Sequence, residues 1–476
     1  MPTAWRTALA LVILPALLSG HDPGPPGDWH RITELTGRNI DEAAAARRPD
    51  GVLHLAWVRK TGTRWDLMHG TIDSAGNTVG AASVIADGWA SLSNPYLLVP
   101  TRGGLRVFMS GIRGQGPKDP YQGSIYTATA PASGTPWSLA EGGITKSYNT
   151  GAPGAANTPD GSPAVAWSTS SGLFVHRGLE ENTPDQKLPV TGCCAYNPAL
   201  ATDAVSGEVV LGWYSNIRQD HGLWAATVSP SMGEKVYAPG SARPDHSASI
   251  QPMYRTPIAA RLGAPGVYLA YCSGYPVCER VNLWRVGAPQ PLPVTRARQT
   301  RFVNLAPGPE GRLWIMWNEG TTVRATRSNR AATRFGPIVS APPPQGSGGI
   351  WKVMGEGSLG PIDLLASFSN AAQEIATWHV RLLPALTISA SPGSLTAGDS
   401  ASVTFLVTDA GDPVAGASVA VGGSSGTADN TGRFRMTFPA STRPGTITAR
   451  ASMRGYQDAA VRITVKPPPP PPRPGP

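Results

Sequence analysis

The chain repeats one short pattern: a glycine-containing turn, an apolar strand that usually ends in an aromatic residue, a loop and a further strand. A spacing of roughly 45 to 60 residues between copies is typical of propellers and solenoids, because one such unit cannot bury its apolar face alone. Four short strands fit into each period, which favours a β-propeller. The seven copies begin at Gly51, Gly104, Gly161, Gly207, Gly266, Gly311 and Gly360.

The number of strands predicts how the ring closes. Six copies are followed by a fourth strand, but the last copy stops at Val380. The segment from Trp29 to Leu35 precedes the first copy and has strand character. Pairing it with the last repeat would close the ring and remove its exposed edges. The count therefore predicts an all-β protein with a seven-bladed propeller. Six blades with one irregular copy is the alternative, because the second and seventh copies lack the tryptophan.

Composition supports this fold class. Glycine (55) and proline (48) are abundant and charged residues make only 15% of the chain, which argues against a coiled coil. A hydrophobic content of 41% with 14 tryptophans argues against disorder. Four tryptophans recur at the same strand position, so they are predicted to pack between sheets rather than to bind a ligand. They are Trp57, Trp167, Trp213 and Trp317.

The N-terminus has the pattern of an export signal. A basic start at residues 1–6 precedes an apolar run at 8–18 and the small residues Ser19 and Gly20. This predicts a signal peptide over residues 1–20. An uncleaved membrane anchor is the alternative, but the run is shorter than the roughly 20 residues that span a bilayer. We expect an extracellular protein, secreted or associated with the cell wall, with no membrane span after cleavage.

A second domain is predicted beyond Pro384. Val403, Phe405 and Val407 occupy every second position, as a half-buried strand requires. Further strands follow at a spacing typical of a small β-sandwich. The predicted organisation is a signal peptide, a propeller, a sandwich and a proline-rich tail, at residues 1–20, 28–383, 385–466 and 467–476. The tail is interpreted as a disordered segment, a spacer toward the cell wall or a protein-binding strip.

Two segments carry family resemblances. The runs 412–417 and 427–432 resemble bacterial immunoglobulin-like repeats of the invasin type, which implies a spacer or adhesive stalk. The segment 130–137 resembles the Asp box of the sialidase (BNR) superfamily, Ser-x-Asp-x-Gly-x-x-Trp. Gly134 and Trp137 keep that spacing, while Ala132 replaces the Asp. The resemblance implies a sialidase-like propeller and, as one alternative, a glycoside hydrolase of that architecture. The family's Arg-Ile-Pro motif is absent, so its arginine triad is not carried over.

The predicted ligand-binding face contains the loops from strand four to strand one and from strand two to strand three. These loops are rich in arginine and aromatic residues, which bind carboxylates or sulfates and stack on sugar rings. An anionic glycan or a surface protein is the predicted ligand; simple solvation of the loop arginines is the alternative. The candidates are Arg113, Arg218, Arg280, Arg298, Arg301, Tyr196 and Asn197.

Catalytic signals are weak. Glu279 and Glu319 on neighbouring loops are candidates for an acidic pair, and Tyr254 for a nucleophile. No HExxH or CxxC motif and no GxxxxGK[ST] phosphate-binding loop occurs. The sequence thus favours a non-catalytic binding protein. The alternatives are a sialidase-like hydrolase and a redox or metal-dependent propeller enzyme. It predicts no cofactor, a monomer, and no nucleic-acid partner, because the net charge of +9 is spread out.

The four cysteines are expected to form disulfides in an oxidising compartment. Cys272 and Cys278 flank a short loop and are predicted to pair. A vicinal bridge between Cys193 and Cys194 would complete the set. Two inter-blade pairings are the alternatives, and they require Cα atoms within about 7 Å.

Overall fold

The computed structural model describes residues 27–34, 43–101, 103–114, 123–145, 151–179, 184–190, 195–217, 220–242, 255–274 and 277–470. The predicted signal peptide and the end of the tail lie outside these residues. The described chain is built mainly from β-strands, and a short 3-10 turn lies at Pro309–Gly311.

Seven four-stranded antiparallel sheets follow one another in the described part of residues 30–382, and we number the strands in chain order. Sheets 1 to 4 contain β2 Ala43–Arg47, β3 Leu53–Thr61, β4 Arg64–Ile72 and β5 Thr78–Trp89; β6 Ser91–Leu98, β7 Leu105–Ile112, β8 Ser124–Ala130 and β9 Ser138–Leu139; β10 Gly154–Asn157, β11 Pro163–Thr169, β12 Gly172–Arg177 and β13 Gln186–Lys187; β14 Ala195–Thr202, β15 Val209–Ser215, β16 Gly222–Ser229 and β17 Val236–Tyr237. Sheets 5 to 7 contain β18 Ile258–Ala260, β19 Val267–Ser273, β20 Arg280–Arg285 and β21 Leu292–Arg296; β22 Val303–Pro307, β23 Leu313–Glu319, β24 Thr322–Arg327 and β25 Val339–Ala341; β26 Gly349–Glu356, β27 Ile362–Ser369, β28 Ile375–Leu382 and β1 His30–Arg31.

The sheets are arranged in a ring. The first strand of each sheet contacts the first strand of the next, and β26 of sheet 7 contacts β2 of sheet 1. This is the architecture of a β-propeller. In sheet 7, β1 pairs with β28, with His30 opposite His379 and Arg31 opposite Trp378. The predicted pairing of the N-terminal strand with the last repeat is therefore confirmed at these residues.

The first strands near the ring axis are rich in small residues. The strands Ala43–Arg47 and Gly154–Asn157 contain consecutive alanines, which favour helices by propensity. A Cβ atom added at Gly154 would lie 2.7 Å from the Cα atom of Ala199 in sheet 4. Neighbouring sheets thus approach closely at the axis, where tertiary packing outweighs the helix propensity of alanine.

The hydrophobic core lies between the sheets. Trp57, Trp167, Trp213 and Trp317 are all buried, which confirms the prediction that the recurring tryptophans pack in the core. The clusters of buried side chains join adjacent sheets, for example sheets 3 and 4 or sheets 6 and 7. Each sheet is thus stabilised by its neighbour rather than by a core of its own.

Two further sheets follow residue 386 and enclose a common hydrophobic cluster. Val403, Phe405 and Val407 are fully buried in this cluster, as their alternation predicts. The first sheet contains β29 Thr387–Ser391, β31 Ala401–Asp409, β32 Asp412–Pro413 and β35 Arg433–Phe438. The second contains β30 Ser394–Thr396, β33 Ser418–Val421, β34 Ser424–Thr427, β36 Gly445–Ser452 and β37 Ala459–Lys466.

The turn that resembles an Asp box covers a buried histidine pair of sheet 1. The Nδ1 atom of His54 lies 2.9 Å from the Nε2 atom of His69, and the two rings stack. The Trp137 ring packs edge-on against His69. Gly134 has a φ of +83°, and a Cβ atom there would lie 2.6 Å from the His69 ring, so this turn requires glycine. The glycine and tryptophan of the motif therefore serve packing between sheets 1 and 2.

Acidification is expected to destabilise this junction. Burial lowers the pKa of both histidines to about 4, and the charge of Arg48 acts in the same direction on His54. The unfolded chain therefore binds more protons between pH 4 and 6.5, so the free energy of unfolding should fall as the pH drops through this range. The pKa difference corresponds to roughly 3 kcal/mol for each ring. Denaturant unfolding from pH 7 to pH 4 measures the loss.

The variant His54→Gln should reduce the slope of stability against pH, because one buried ring no longer takes up a proton on unfolding. His30→Gln is the matched control, since His30 is exposed. An unchanged slope in His54→Gln would show that the pair does not set the pH dependence.

Candidate functional site

A cavity of about 200 Å³ lies on the axis of the ring. It is lined by residues from the first strands of six sheets and by Tyr271 and Cys272 of β19. Its size is below the roughly 300–1,000 Å³ of pockets that hold drug-sized ligands. The cavity therefore suits one small group or the end of a larger ligand.

The charged groups of this cavity have one sign. Arg255, Arg301 and Lys352 line it, and no Asp or Glu does among the residues that the structure describes. Low-dielectric walls with charges of one sign focus the field and attract counter-ions. The arrangement therefore favours an anionic ligand.

Arg255 crosses the axis from the segment before sheet 5. Its Nε donates to the carbonyl of Pro153 at 2.7 Å, and its Nη2 donates to those of Asn94 at 3.0 Å and Pro95 at 2.8 Å. The guanidinium also lies 4.9 Å from the centroid of the Tyr96 ring. Arg255 thus connects the segment before sheet 5 with the first strand of sheet 2 and with the residue before the first strand of sheet 3.

An Asn-Pro pair shapes two of the first strands. Asn94 and Asn197 precede prolines, have positive φ angles of 53° and 55°, and lie at register shifts of β6 and β14. The Asn197 carbonyl accepts bonds from the backbone and hydroxyl of Thr256 at 2.8 and 2.9 Å. Arg255 was not identified in the sequence analysis. The repeated Asn-Pro pair marks the two strands whose asparagine carbonyls accept hydrogen bonds from Arg255 and Thr256.

The two tyrosines in the cavity wall remain neutral. Burial raises the pKa of Tyr96, although the Arg255 charge opposes this shift. Burial, with a smaller contribution from Tyr237, raises the pKa of Tyr271 well above its usual range. The Tyr271 hydroxyl donates to the Pro239 carbonyl at 2.5 Å. These rings therefore form walls of the cavity rather than ionisable groups.

Of the seven predicted ligand-binding residues, Arg301 lines the cavity. Arg113 instead lies over the rings of Trp89 and Tyr126, at 5.2 and 5.1 Å from their centroids. The others are exposed, contribute main-chain bonds or lie outside the described residues, and their binding roles stay predictions. They are Arg280, Arg298, Tyr196, Asn197 and, outside the described residues, Arg218.

The acidic candidates are away from this cavity. Glu319 forms an ion pair with Arg324 at 3.0 Å, and both side chains are more than one third exposed. Glu279 is exposed beside the disulfide loop. Neither lines the cavity. Tyr254 lies outside the described residues, and the catalytic roles of all three stay predictions.

The predicted disulfide between Cys272 and Cys278 is present, with a Cα–Cα distance of 5.4 Å. It closes the loop between β19 and β20, and Cys272 forms part of the cavity wall. Cys193 and Cys194 lie outside the described residues, so their pairing stays a prediction.

Among the residues that the structure describes, no three His, Cys, Asp or Glu side chains form a group that could hold a metal ion. No helix there is both long and apolar enough to cross a membrane.

The sheets and the axial cavity define the class of the molecule: an all-β protein with the β-propeller fold and a cationic cavity at its centre. No protein-family model and no curated protein matches the sequence.

Several solved structures resemble the chain at low identity. The polysaccharide lyase Uly1 has a TM-score of 0.42 and 9% identity, covering 72% of this chain and 90% of its own. The Dos1 propeller has a TM-score of 0.41 and 8% identity, covering 76% and 97%. The Bombyx mori GH32 β-fructofuranosidase BmSUC1 has a TM-score of 0.32 and 11% identity, covering 76% and 90%. With TM-scores below 0.5, these likenesses carry no argument about the activity of this chain.

Proposed function

We propose that the protein is a secreted or cell-surface binding protein that holds an anionic group of a glycan or protein ligand in the axial cavity. The observation that carries this proposal is the cavity lining, which combines three cationic side chains with aromatic walls and includes no acidic residue among those described. Arginine forks bind carboxylates and sulfates, and aromatic faces stack on sugar rings. A carboxylate- or sulfate-bearing glycan fits this chemistry best.

The proposed activity is binding without catalysis. General acid–base chemistry needs a proton donor or acceptor within hydrogen-bond reach of the substrate. No carboxylate lines the cavity among the described residues, and the Tyr271 hydroxyl already donates to the Pro239 carbonyl. The alternative is a sialidase-like glycoside hydrolase, motivated by the degenerate Asp box at 130–137 and by the candidates Glu279 and Glu319.

The proposed architecture is a seven-bladed propeller over residues 28–383 and an immunoglobulin-like sandwich over 385–466 that acts as a spacer. Contacts of sheet 6 support the spacer role. Arg301 precedes β22 at one end of the sheet, whereas Arg312 and Arg327, at the opposite end, contact Asp409 of the C-terminal unit. The cavity residue Arg301 and the C-terminal unit are thus at opposite ends of sheet 6. Export by the signal peptide and a monomeric state belong to the same proposal.

Binding of a uronic-acid tetrasaccharide, compared with a neutral tetrasaccharide of the same length, tests the proposal. We expect the anionic probe to bind at least tenfold more tightly at low salt, with affinity falling as salt rises because screening weakens the attraction. Isothermal titration calorimetry measures the affinity, and a reducing-end assay on the same samples detects cleavage. Equal affinity for both probes would contradict the proposal, and cleavage of a glycosidic bond would favour the hydrolase.

A further inference from the structure

The three cations of the cavity differ in what their hydrogens bind. Arg255 donates to the carbonyls of Asn94, Pro95 and Pro153. Lys352 is 8% exposed, and its Nζ donates to the Ala43 carbonyl at 3.3 Å. Arg301 is exposed, and its guanidinium makes no hydrogen bond or ion pair with any residue that the structure describes. With respect to the described residues, the guanidinium donors of Arg301 are therefore available for a ligand.

The backbone beside Arg301 is held by one buried side chain. Asn318 is 1% exposed at the end of β23. Its Oδ1 accepts bonds from the backbone N–H groups of Arg301 at 2.9 Å and Phe302 at 2.8 Å. Its Nδ2 donates to the carbonyl of Gly320 at 2.8 Å and approaches that of Gln299 at 3.5 Å.

A side-chain amide suits this position because it offers an acceptor and two donors in one plane. Gln299 has a φ of 54°, so the segment before Arg301 turns sharply. A turn fixed before the ligand arrives avoids the entropy cost of ordering it during binding. The amide of Asn318 therefore preorganises the point from which the Arg301 side chain extends.

We propose that Arg301 contacts the anionic group of the ligand and that Asn318 is its positioning residue, which acts only through Arg301. This inference rests on the proposed anionic ligand of the cavity. It assigns different roles to the three cations: Arg255 and Lys352 shape the cavity and supply its charge, and Arg301 makes the contact that confers specificity.

A double-mutant cycle with the uronic-acid tetrasaccharide tests the assignment. Arg301→Ala should weaken binding by at least tenfold, as expected for the loss of a charge-assisted hydrogen bond. Arg296→Ala is the matched control, because it removes the same charge from an exposed position five residues away and should change affinity less than threefold. Equal losses in the two variants would overturn the role of Arg301, leaving the proposed function intact.

Asn318→Ala should weaken binding by about three- to tenfold in the wild-type chain and have no effect in the Arg301→Ala background. A purely structural role would reduce affinity equally in both backgrounds and would overturn the positioning role. Asn318→Ser keeps a side-chain oxygen that can accept a hydrogen bond, loses the Nδ2 donors and adds no charge. It tests the same coupling if the alanine variant does not fold. A wild-type chain that does not bind the probe would instead overturn the proposed function together with this inference.

Discussion

Replacing Asp363 with alanine is expected to lower the free energy of unfolding by about 3–5 kcal/mol, because it leaves buried positive charges without their partner. Asp363 is 2% exposed in β27, at the junction where sheet 7 meets sheet 1. This junction closes the ring, so its loss should destabilise the whole propeller rather than one sheet.

The Asp363 carboxylate accepts bonds from three side chains. His379 Nε2 lies at 2.7 Å, and Arg381 contributes its Nε and Nη2 atoms, both at 2.9 Å. Arg47 of sheet 1 bonds to the same carboxylate and to Glu356 of sheet 7. Burial would raise the pKa of Asp363, but the His379 hydrogen bond and the charges of Arg47, His379 and Arg381 outweigh it and hold the pKa well below its usual range. The carboxylate is therefore ionised, and the surrounding positive groups balance its negative charge.

Chemical denaturation followed by tryptophan fluorescence measures this loss. Asp363→Asn should lose less, because an amide keeps part of the hydrogen bonding. The matched control Glu319→Ala breaks an exposed ion pair with Arg324, which is worth about 0–1 kcal/mol. If Asp363→Ala were as stable as this control, the buried charges around Asp363 would not stabilise the closure of the ring.

Replacing Asp409 with alanine is expected to cost a similar amount, about 3–5 kcal/mol, at the contact between sheet 6 and the C-terminal sheets. Asp409 is 1% exposed at the end of β31. Its carboxylate lies 2.5 Å from Arg327 Nη2 and 3.2 Å from Arg312 Nε. Both guanidinium groups are buried, so removing the carboxylate takes away the ionic partner of Arg327, while Arg312 keeps Glu310 and Asp412.

Surrounding contacts extend this interface. Arg312 also bonds to Asp412 at 2.8 Å, and Arg327 donates to the Gly360 carbonyl at 3.0 Å and lies over the Tyr456 ring. The C-terminal sheets are therefore held against the propeller by a buried charge cluster as well as by chain connectivity. We expect Asp409→Ala to separate the unfolding of the two units.

Hydrogen exchange of the β24 and β31 amides, combined with denaturant unfolding, measures the separation. Asp399→Ala, an exposed change in the same C-terminal unit, is the control and should alter stability by no more than about 0.5 kcal/mol. Unchanged exchange and a single unchanged transition in Asp409→Ala would contradict the proposed role of this cluster.

Local patterns in the sequence determined much of the framework. The glycine turns and apolar runs predicted the second strand of each sheet, and the strand count predicted that residues near His30 pair with β28. The close spacing of Cys272 and Cys278 was sufficient to predict their bridge. These predictions succeed because strand periodicity and short loops depend on neighbouring residues, whose spacing the sequence states directly.

The tertiary structure alone decided which charges meet. Arg255 bonds to residues about 100 to 160 positions earlier, and Arg47 reaches Asp363 across more than 300 positions. Among the arginines predicted for one loop-rich face, Arg301 lines the cavity, whereas Arg113 packs on aromatic rings of sheets 1 and 2. Such meetings depend on strand register, on bulges such as those at Asn94 and Asn197, and on the angle between sheets. None of these long-range quantities can be read from a local residue pattern. The sequence repeat therefore predicted the ring of sheets, whereas the packing of the sheets decided which side chains line the axial cavity.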